Sequence, residues 1–532
     1  MDRFDYVIVG AGTAGCVLAD RLSENREVSV LLIEAGGEDT DPRISMPRGF
    51  AELLGDPGTA WHYPTRPVGP AWQVEYWVRG RTLGGSSSVN GMVYNRGHRA
   101  DYDALADRGA PWWGWEDMLP VFRAIEDHQL GGSGLRGEGG PLSVSTAETG
   151  DPLLEDVLAA GSALGWQRVR DLNAADTERI GYTSATVRDG RRCSAARAFL
   201  HPAMNRPNLT VATGTRVDGL VLHDGRAVGV RGREGDRHVE YRAVREVILS
   251  AGALATPQIL QLSGIGPPET LRAAGVDVTV PSPGVGARMR EHRVFTLQFR
   301  LREDLGYNSL FATPEGQQQA METYLATGGG PLAAPSFDLG GFFKSRPGLD
   351  RPDAQFQIAP YSLAPPEPGA AIRVEREPGI MCIGYPLCPD SEGSVRITSA
   401  DPDVPPDIDP GYYGTAHDRA TSVDIVHALR LLFATQPLAS RISHETAPGP
   451  AVRTDREILD AGLDTGSSGY HACGTAAMGP DDEVVDPRLR VRGVSGLRVV
   501  DASVLPFMVS GNSNAPITAL AWRAADLITG TV

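Results

Sequence analysis

The chain has 532 residues, of which 41% are hydrophobic, and its formal net charge at pH 7 is −16. That length is too great for one compact core and predicts two domains or one elaborated domain. The negative charge argues against a nucleic-acid partner, because a polyanion would be repelled. No apolar run approaches the roughly 20 residues of a membrane span, so we expect no membrane span.

The five cysteines are few, odd in number and scattered, which favours reduced thiols in a cytoplasmic protein over a disulfide framework. They are Cys16, Cys193, Cys382, Cys388 and Cys473. The first predicted strand begins about five residues into the chain and leaves no room for a signal peptide. No CxxC or HExxH pattern occurs, so the sequence predicts no metal site, and it does not determine the oligomeric state.

The first predicted elements are a strand at residues 6–9, Tyr-Val-Ile-Val, and a helix that opens within the sequence GAGTAG at residues 10–15. In this motif Gly10 allows a tight turn, Gly12 lets the backbone approach a pyrophosphate, and Gly15 lets the helix pack close to the strand. The N–H groups at the start of the helix then face the phosphates. The stretch therefore predicts a dinucleotide site.

A second predicted strand, at residues 28–33, leads into Glu34, nineteen residues after Gly15. A carboxylate at this distance can accept hydrogen bonds from the ribose hydroxyls of the adenosine. An acid there fits NAD or FAD and disfavours NADP, which carries a phosphate on that ribose. The first motif alone leaves NAD and FAD open.

The regular pattern then stops. Residues 36–80 are rich in proline, glycine and tryptophan and predict a long loop that packs against the rest of the protein. The sequence GGSGLRGEGG at residues 131–140 predicts a flexible surface connection. Period-two patterns return at residues 205–250 and predict a hairpin meander that leads into a buried strand.

The pattern changes again between residues 299 and 465. Predicted strands such as DAQFQIAP and GSVRITS accompany one clear helix, ATSVDIVHALRLLFAT. This stretch predicts a second, α+β domain inserted into the first. The C-terminal sequences GLRVVDASVLP and APITALAWRAADLI predict a strand, a loop and a helix, so we expect the C-terminus to complete the nucleotide domain.

A second cluster of small residues, Gly-Gly-Ser-Ser-Ser at 84–88, offers further backbone N–H groups and hydroxyls to the same ligand, for which an NAD enzyme has no evident use. The surrounding segment, GRTLGGSSSVNGMVYNRGHRADYD at 80–103, resembles the first signature of the glucose-methanol-choline (GMC) oxidoreductase family. Four further segments resemble the same family, so the likeness extends over nearly the whole chain. They are GALATPQILQLSGIG at 252–266, GVGARMREH at 284–292, HACGTAAMG at 471–479 and the C-terminal VVDASVLPFMVSGNSNAP.

The resemblance implies FAD as the cofactor and an α/β fold. It implies a discontinuous Rossmann-like FAD-binding domain with an inserted α+β substrate domain built on an antiparallel sheet. We expect the FAD-binding domain to comprise residues 1–150, 205–298 and 466–532. The substrate-binding domain is expected to comprise residues 151–204 and 299–465.

Two departures from the family pattern are informative. Members that attach FAD covalently have a histidine directly before the signature asparagine, whereas Val89 precedes Asn90 here, which implies non-covalent FAD. Choline-oxidising members have a glutamate two residues after the histidine that matches His292, and here that residue is Val294. Because a quaternary ammonium requires an anion or an aromatic cage, choline is disfavoured as a substrate.

Oxidation of an alcohol requires one base of near-neutral pKa that takes the hydroxyl proton while a hydride leaves carbon for flavin N5. His471, in GYHACG, matches the catalytic histidine of the family. Asn514, the second asparagine of SGNSNAPIT, falls where the family has a histidine or an asparagine, and we expect it to hydrogen-bond the substrate oxygen. Matching assigns no catalytic role to Asn512. Gly469 leaves space near the flavin and would permit access of oxygen.

The same matching implies a set of cofactor contacts. Asp501 matches a segment close to the flavin, Val217 lies where a strand passes the adenine, and Asn90 lies at the edge of the isoalloxazine. Pro516 suits the first turn of the last helix, whose N-terminus would stabilise negative charge on reduced flavin. The full set of expected cofactor-binding residues is Gly10, Gly12, Thr13, Ala14, Gly15, Glu34, Ala35, Arg81, Gly84, Gly85, Ser86, Asn90, Gly91, Val93, Val217, Ala251, Gly252, Asp501, Ala502, Asn512 and Pro516.

The sequence therefore predicts an FAD-dependent alcohol oxidase or dehydrogenase. It would convert a neutral primary alcohol to the aldehyde, and aromatic alcohols are the first candidates. Oxygen or another acceptor would reoxidise the flavin. A non-redox lyase that retains FAD structurally is the alternative within the fold. A hydrolase that uses His471 with a serine is disfavoured, because no GxSxG nucleophile elbow occurs.

Overall fold

A computed structural model describes residues 3–146, 148–365 and 373–531 of the chain. One of its two large sheets has seven strands, and we call it the mixed sheet. In spatial order its strands are Leu209–Ala212, Val30–Ile33, Arg3–Val9, Arg237–Leu249, Arg226–Glu234 and Thr215–His223, with Leu497–Val499 also paired to Arg237–Leu249.

The parallel half of the mixed sheet carries the first glycine motif. Strand Arg3–Val9 runs parallel to Val30–Ile33 on one side and to Arg237–Leu249 on the other. Its last four residues are buried. Helix Thr13–Ser23 follows and packs against the C-terminal helix Asn514–Thr529. The order of strand, glycine motif, helix and strand confirms the prediction for the N-terminus.

The antiparallel half of the mixed sheet comes from one continuous stretch. Strands Thr215–His223, Arg226–Glu234 and Arg237–Leu249 pair in sequence order. The last of these is fully buried at residues 247–249, where it joins the parallel half. This arrangement confirms the predicted hairpin meander and the buried strand into which it leads.

The second large sheet has eight strands, and we call it the antiparallel sheet. All of its neighbouring strands are antiparallel except those of one edge pair, residues 167–168 with 179–180. The predicted helix of this region is Ala416–Phe433, which packs against the sheet. In spatial order the strands are Ile442–Ala447, Arg293–Leu301, Gly379–Pro386, Ala354–Ala359, Leu339–Phe343, Arg179–Tyr182 and Gln167–Arg168, with Ser467–Ser468 also paired to Arg293–Leu301.

Two of the expected domain boundaries cut through units of the structure. The boundary at residue 298 divides strand Arg293–Leu301, whose hydrogen bonds place it in the antiparallel sheet. Residues 193–203, expected on the substrate side, pack in the core of the mixed sheet, where Phe199 and Leu200 are buried. The sequence did not reveal either feature, because a strand or a buried turn has the same hydrophobic pattern whichever core it joins. The division into two domains stays a prediction, with strand Arg293–Leu301 moved to the substrate-binding domain and residues 193–203 moved to the FAD-binding domain.

The stretch 36–80, predicted as a long loop, contains regular elements. Short helices at Pro42–Ser45 and Phe50–Leu54 precede a hairpin formed by Ala60–Pro64 and Tyr76–Gly80. The elements are only four or five residues long, too short for a clear hydrophobic period, so proline and glycine dominated the prediction.

The remaining elements surround the two sheets. The other α-helices are Arg99–Asp107, Trp115–Ile125, Pro152–Ala163, His201–Ala203, Gly252–Leu262, Pro268–Ala273, Asn308–Ala312, Pro314–Thr327 and Asp455–Thr465, and a π-helical turn spans Ala196–Leu200. The other strands are Glu126–His128, Leu142–Thr146, Ser184–Ala185, Val187–Arg188, Arg191–Arg192, Ile265–Gly266, Val280–Pro281, Ser394–Arg396 and Asp407–Asp409. No helix within the described ranges is both long and apolar enough to cross a membrane.

Candidate active site

A cavity of about 1450 Å³ is lined by residues from both large sheets. Val9 and Val217 come from the mixed sheet, and Val294 and Gln357 come from the antiparallel sheet. Cavities that bind a drug-sized ligand typically measure about 300–1,000 Å³. This cavity therefore has room for a dinucleotide together with a second small molecule.

The first glycine motif forms part of the cavity wall. Gly10 adopts a φ of +101°, which only glycine tolerates readily. A Cβ atom at Gly15 would lie 1.8 Å from the carbonyl oxygen of Gly10, so the helix packs this closely only with glycine there. Helix Thr13–Ser23 has no side-chain cap at its N-terminus. Its first N–H groups therefore have no side-chain partner and can bind a ligand.

The second glycine motif contacts the first directly. The N–H group of Gly84 donates to the carbonyl oxygen of Ala11 at 2.8 Å. A Cβ atom at Gly85 would lie 2.7 Å from Cα of Gly12. Residues 10–15 and 84–88 thus form one continuous wall, which we call the glycine cluster.

Glu34 hydrogen-bonds the backbone of the first glycine motif and that of Gly36, two positions after Glu34 in the chain. Its carboxylate accepts hydrogen bonds from the N–H groups of Ala11 at 2.9 Å and Gly36 at 2.8 Å. Burial raises the pKa of Glu34 to about 7, although these two hydrogen bonds act in the opposite direction. The carboxylate therefore braces the first glycine motif, and Glu34 also lines the cavity.

Most residues predicted to contact the cofactor line the cavity. They are Gly10, Gly12, Thr13, Ala14, Glu34, Ala35, Gly85, Ser86, Asn90, Gly91, Val93, Val217, Ala251, Gly252, Asp501, Ala502 and Asn512. The predicted contacts that do not line it are Gly15, Arg81, Gly84 and Pro516. Gly15 and Gly84 act through close backbone packing instead. The guanidinium of Arg81 lies 4.4 Å over the ring of Trp61, and Pro516 is buried in the last helix.

Asp501 holds neighbouring backbone in place at the cavity wall. One carboxylate oxygen accepts from the N–H group of Gly252 at 2.9 Å and from the hydroxyl of Thr256 at 2.6 Å. The other accepts from the N–H group of Ser503 at 2.8 Å. Asp501 therefore fixes the start of helix Gly252–Leu262 against the chain segment that follows the last strand.

We expected Asn514 to hydrogen-bond the substrate oxygen, but the asparagine that lies next to His471 is Asn512. The amide Nδ2 of Asn512 lies 3.2 Å from Nε2 of His471. The Oδ1 atom of Asn514 instead accepts a hydrogen bond from the hydroxyl of Thr13 at 2.8 Å. Asn514 is the first residue of the last helix, which directs its side chain to the glycine cluster. Asn512 lies two residues before the helix and reaches His471.

The hydrogen bonds of His292 determine which nitrogen of His471 carries a proton. Nε2 of His292 lies 3.0 Å from the carbonyl oxygen of Leu387, and a carbonyl only accepts, so this nitrogen is protonated. Burial lowers the pKa of His292 to about 4, so the ring is neutral and its Nδ1 is an acceptor. The two Nδ1 atoms of His292 and His471 are 2.9 Å apart. His471 therefore donates through Nδ1, and its Nε2 is unprotonated.

The orientation of the Asn512 amide agrees with this protonation state. Its Oδ1 accepts from Nε2 of Gln355 at 3.0 Å, from Nε2 of Gln357 at 3.1 Å and from the hydroxyl of Tyr385 at 3.4 Å. Three converging donors identify this atom as the oxygen, so the NH2 group points to His471. An NH2 group can hydrogen-bond Nε2 only when that nitrogen is unprotonated. We call His292, His471 and Asn512 the histidine cluster.

Two neighbours position the backbone and ring of His471. The buried carboxylate of Glu291 accepts from the N–H groups of His471 at 2.8 Å and Ala472 at 2.9 Å. A Cβ atom at Gly469 would lie 2.9 Å from Nδ1 of His471 and 2.9 Å from Cβ of His292. Gly469 thus makes room for the histidine pair, and the expectation that it makes room for oxygen is not supported by this packing.

The pKa of His471 differs from the near-neutral value expected for the base. Burial lowers the pKa of His471 well below its usual value of 6.5, and the nearby His292 and Arg79 act in the same direction. The ring is therefore neutral at pH 6.5 and above. A neutral imidazole with an unprotonated Nε2 is a proton acceptor that needs no prior deprotonation.

Several residues of this site were not assigned a role from the sequence. His292 served only in the comparison with choline-oxidising proteins, and Glu291, Gln355 and Gln357 were not singled out. A signal for the glutamines existed, because they alternate with apolar residues in the predicted strand DAQFQIAP and so share one face. Which cavity that face meets depends on the packing of the sheet.

None of the five cysteines is paired, and all except Cys388 are buried. Across residues 3–146, 148–365 and 373–531, no group of three or more His, Cys, Asp or Glu side chains could hold a metal ion.

Comparison with known proteins identifies the family to which this site belongs. The family model described as GMC oxidoreductase matches residues 4–294 with its N-terminal part and residues 389–521 with its C-terminal part. The chain belongs to the GMC oxidoreductase family. It is an FAD-dependent oxidoreductase that acts on CH–OH groups, and the family resemblance stated from its motifs is confirmed.

Relatives of this GMC oxidoreductase match it along nearly its full length. It is 39% identical to human mitochondrial choline dehydrogenase over 99% of this chain and 90% of that protein. It is 37% identical to the alcohol dehydrogenase (acceptor) of Pseudomonas putida over 99% of this chain and 95% of that protein. The crystal structure of pyridoxine 4-oxidase from Mesorbium loti matches with a TM-score of 0.88, 33% identity and 99% coverage of both chains. All three are oxidoreductases by name and lend no support to the lyase alternative.

The glycine cluster fits the FAD of the family. A Cβ atom built at Gly12 would meet no atom within 4 Å, so the space beside this backbone is open to a ligand. The uncapped start of helix Thr13–Ser23 offers N–H groups to a pyrophosphate. Glu34 lines the same cavity and offers a carboxylate to ribose hydroxyls.

Proposed function

We propose that the chain oxidises a neutral primary alcohol to the aldehyde. Aromatic alcohols are the first candidates for this substrate. His471 is the base, and Asn512 holds the oxygen of the substrate. The observation that supports this proposal is the unprotonated Nε2 of His471 beside the NH2 group of Asn512 in the cavity wall. An alcohol that enters between these groups donates its hydroxyl proton to Nε2 in place of the amide and accepts a hydrogen bond from the NH2 group.

Proton transfer within the histidine cluster then needs only one step. The hydroxyl proton passes to Nε2 of His471 as the O–H bond breaks and the C=O bond forms. FAD, when bound, accepts the hydride that leaves the carbinol carbon. Nδ1 of His471 keeps its hydrogen bond to His292 throughout, so no second proton has to move. The amide of Asn512 stabilises the negative charge that develops on the substrate oxygen.

We infer that FAD is held by the glycine cluster without a covalent link. The pyrophosphate would bind the first N–H groups of helix Thr13–Ser23, and a ribose would bind Glu34. Asn514 joins the last helix to the glycine cluster through Thr13, so we assign Asn514 to holding the cofactor. The residue before the signature asparagine, Val89, is buried and has no nucleophilic atom.

The cavity wall supports an uncharged aromatic substrate. Phe311, Phe337 and Tyr361 supply aromatic surface. Val294, at the position where choline-oxidising members have a glutamate, is buried and lines the cavity as an apolar residue. We therefore do not transfer the substrate of the choline dehydrogenases to this chain.

Reoxidation and location complete the proposal. Oxygen or another acceptor takes the electrons from the reduced cofactor, and no motif distinguishes an oxidase from a dehydrogenase. A cytoplasmic location is supported by the absence of any disulfide among the five cysteines.

Anaerobic mixing of the holoenzyme with a panel of neutral primary alcohols tests the function. We expect bleaching of the flavin absorbance by at least the aromatic alcohols, and formation of peroxide on admission of air if oxygen is the acceptor. The variant His471→Ala serves as the control for non-enzymatic reduction. A flavin that stays oxidised with every alcohol of the panel would overturn the proposal.

A further inference from the structure

A buried arginine lies in the cavity wall at the 3-10 turn Pro47–Gly49. Only 5% of the Arg48 side chain is exposed, and the residue lines the cavity. Its Nε donates to the carbonyl oxygen of Pro335 at 3.3 Å, and its Nη2 pairs with the carboxylate of Asp338. Although burial acts to lower the pKa of Arg48, the carboxylate of Asp338 and two tyrosines keep this pKa raised, so the guanidinium stays charged.

Three aromatic rings surround this guanidinium. Its central carbon lies 5.1 Å from the ring centroid of Tyr307 and 5.5 Å from those of Phe311 and Tyr361. Such a group of rings attracts a cation and would suit a quaternary ammonium if it were free. Here the arginine of the protein occupies it, so a cationic ligand finds both its cage filled and a positive charge in the wall.

One donor of Arg48 remains unused. Its Nη1 atom is buried and has no hydrogen-bond partner among the residues that the structure describes. A buried donor without a partner costs free energy, and a small shift of the Arg48 side chain toward the cavity that it lines would let an oxygen atom of a ligand recover it. Because the donor belongs to a charged group, its hydrogen bond to such an oxygen is among the stronger ones.

An acidic residue of the same wall is already engaged. The carboxylate of Glu375 accepts from the hydroxyl of Ser362 at 2.6 Å and lies 3.0 Å from Nη2 of Arg300. It therefore has a positive partner within the protein and is not free to pair with a cationic substrate. Together with the apolar Val294, this arrangement leaves the wall suited to oxygen acceptors rather than to cations.

On the basis of the proposed oxidation of alcohols, we propose that Arg48 selects the substrate. Its guanidinium would donate a hydrogen bond to an oxygen atom of the substrate other than the reacting hydroxyl. The preferred substrates are neutral aromatic alcohols whose ring carries an acceptor oxygen, such as a methoxy or hydroxyl group. Quaternary ammonium alcohols such as choline are rejected by the same residue.

Equilibrium binding of product aldehydes tests this role without depending on catalysis. We would titrate the holoenzyme with 4-methoxybenzaldehyde and 4-ethylbenzaldehyde, and with the corresponding 3-substituted pair, while following the flavin absorbance. Within each pair the shape is nearly constant, and only an acceptor oxygen replaces a methylene group. We expect wild-type protein to bind the methoxy member of at least one pair about ten- to a hundredfold more tightly, as for one charge-assisted hydrogen bond.

Three variants separate this effect from loss of folding. In Arg48→Met we expect the preference within the pair to disappear while the ethyl member still binds. The double variant Arg48→Met/Asp338→Asn removes both charges together, so no buried carboxylate is left unpaired, and it should behave in the same way. Arg170→Met, at a surface arginine that is 73% exposed, is the matched control and should keep the preference.

Equal affinities within both pairs in the wild-type protein, or a preference that survives in both Arg48 variants, would overturn the role of Arg48. Anaerobic flavin bleaching by choline as fast as by the best aromatic alcohol would overturn the rejection of cations. If no alcohol bleaches the flavin, the proposed function fails, yet the aldehyde titrations still decide whether Arg48 binds an acceptor oxygen.

Discussion

The glycine cluster and the histidine cluster line or support the same cavity, but they are built in opposite ways. The glycine cluster presents backbone atoms of consecutive residues, and close packing at Gly15 and Gly85 sets its shape. The histidine cluster presents side-chain atoms that distant segments orient one after another, beginning with the carbonyl group of Leu387. A change in the first should alter cofactor retention, and a change in the second should alter proton transfer while the cofactor stays bound.

The two clusters meet at the start of the last helix. Asn512 hydrogen-bonds His471, and Asn514, only two residues later, hydrogen-bonds Thr13 of the glycine cluster. Two chemically identical side chains thus serve different clusters because the helix begins between them. This pair gives the sharpest way to separate chemistry from cofactor binding.

Loss of the base should have the largest effect. His471→Ala should slow anaerobic flavin reduction by a factor of about 10²–10⁴, the usual contribution of a general base, while the protein purifies with its FAD. Stopped-flow absorbance measures the rate, and His444→Ala, at an exposed histidine, is the matched control. Reduction of His471→Ala at the wild-type rate would show that the histidine cluster is not the proton acceptor.

The two asparagines should respond differently. Asn512→Ala removes the donor to the substrate oxygen and should slow flavin reduction about ten- to a hundredfold with FAD retained. Asn514→Ala should change the reduction rate less than about threefold but weaken FAD binding, because it loses one hydrogen bond to Thr13. Stopped-flow traces measure the reduction rate, and FAD titrations measure cofactor affinity, in both variants. If Asn514→Ala slowed reduction and Asn512→Ala weakened FAD binding instead, the original assignment of Asn514 would be restored.

Glu34 tests the glycine cluster alone. Glu34→Ala should weaken FAD binding about ten- to a hundredfold, since the carboxylate is expected to bind ribose and also braces two backbone N–H groups. At saturating FAD the reduction rate should equal that of the wild-type protein. The exposed neighbour Glu38 provides the control Glu38→Ala. A slower reduction at saturating FAD would show that the clusters are not separable.

Among the changes at the histidine cluster, loss of a single glutamine should have the smallest effect. Gln357→Ala removes one of three donors to Oδ1 of Asn512, so we expect flavin reduction to slow about two- to tenfold, the range of one neutral hydrogen bond. The double variant with Gln355→Ala should approach the rate of Asn512→Ala. Gln167→Ala, at an exposed edge strand of the same sheet, is the control. Unchanged rates in the double variant would mean that the amide of Asn512 needs no such support.

The fold was predictable where local sequence determines conformation. Strand Arg3–Val9, the glycine motif and helix Thr13–Ser23 form one continuous unit, so their order along the chain determines their geometry. The short elements between residues 36 and 80 were missed because their stability comes from packing rather than from a local hydrophobic period. The expected boundary divided strand Arg293–Leu301 because the strand's partners lie far along the chain, as in the pairing of Arg300 with Gly379.

The site was predictable only in part for a related reason. His471 was found by its motif, but its partner His292 precedes it by 179 residues and contacts it only in the folded chain. Asn512 and Asn514 carry the same side chain, and the sequence does not show which one the start of the helix turns to which cluster. Arg48 lies in a stretch predicted as loop, so neither its burial nor its aromatic surroundings could be anticipated.

The central claim is that His471 presents an unprotonated Nε2 to the cavity because His292 and Asn512 fix its protonation state. Nitrogen NMR of holoenzyme with isotope-labelled histidine, recorded at pH 7, reports directly which ring nitrogens carry protons, and His471→Gln identifies the signals of His471. We expect a proton on Nδ1 of His471 and none on Nε2. A proton on Nε2, or on both nitrogens, would contradict the account.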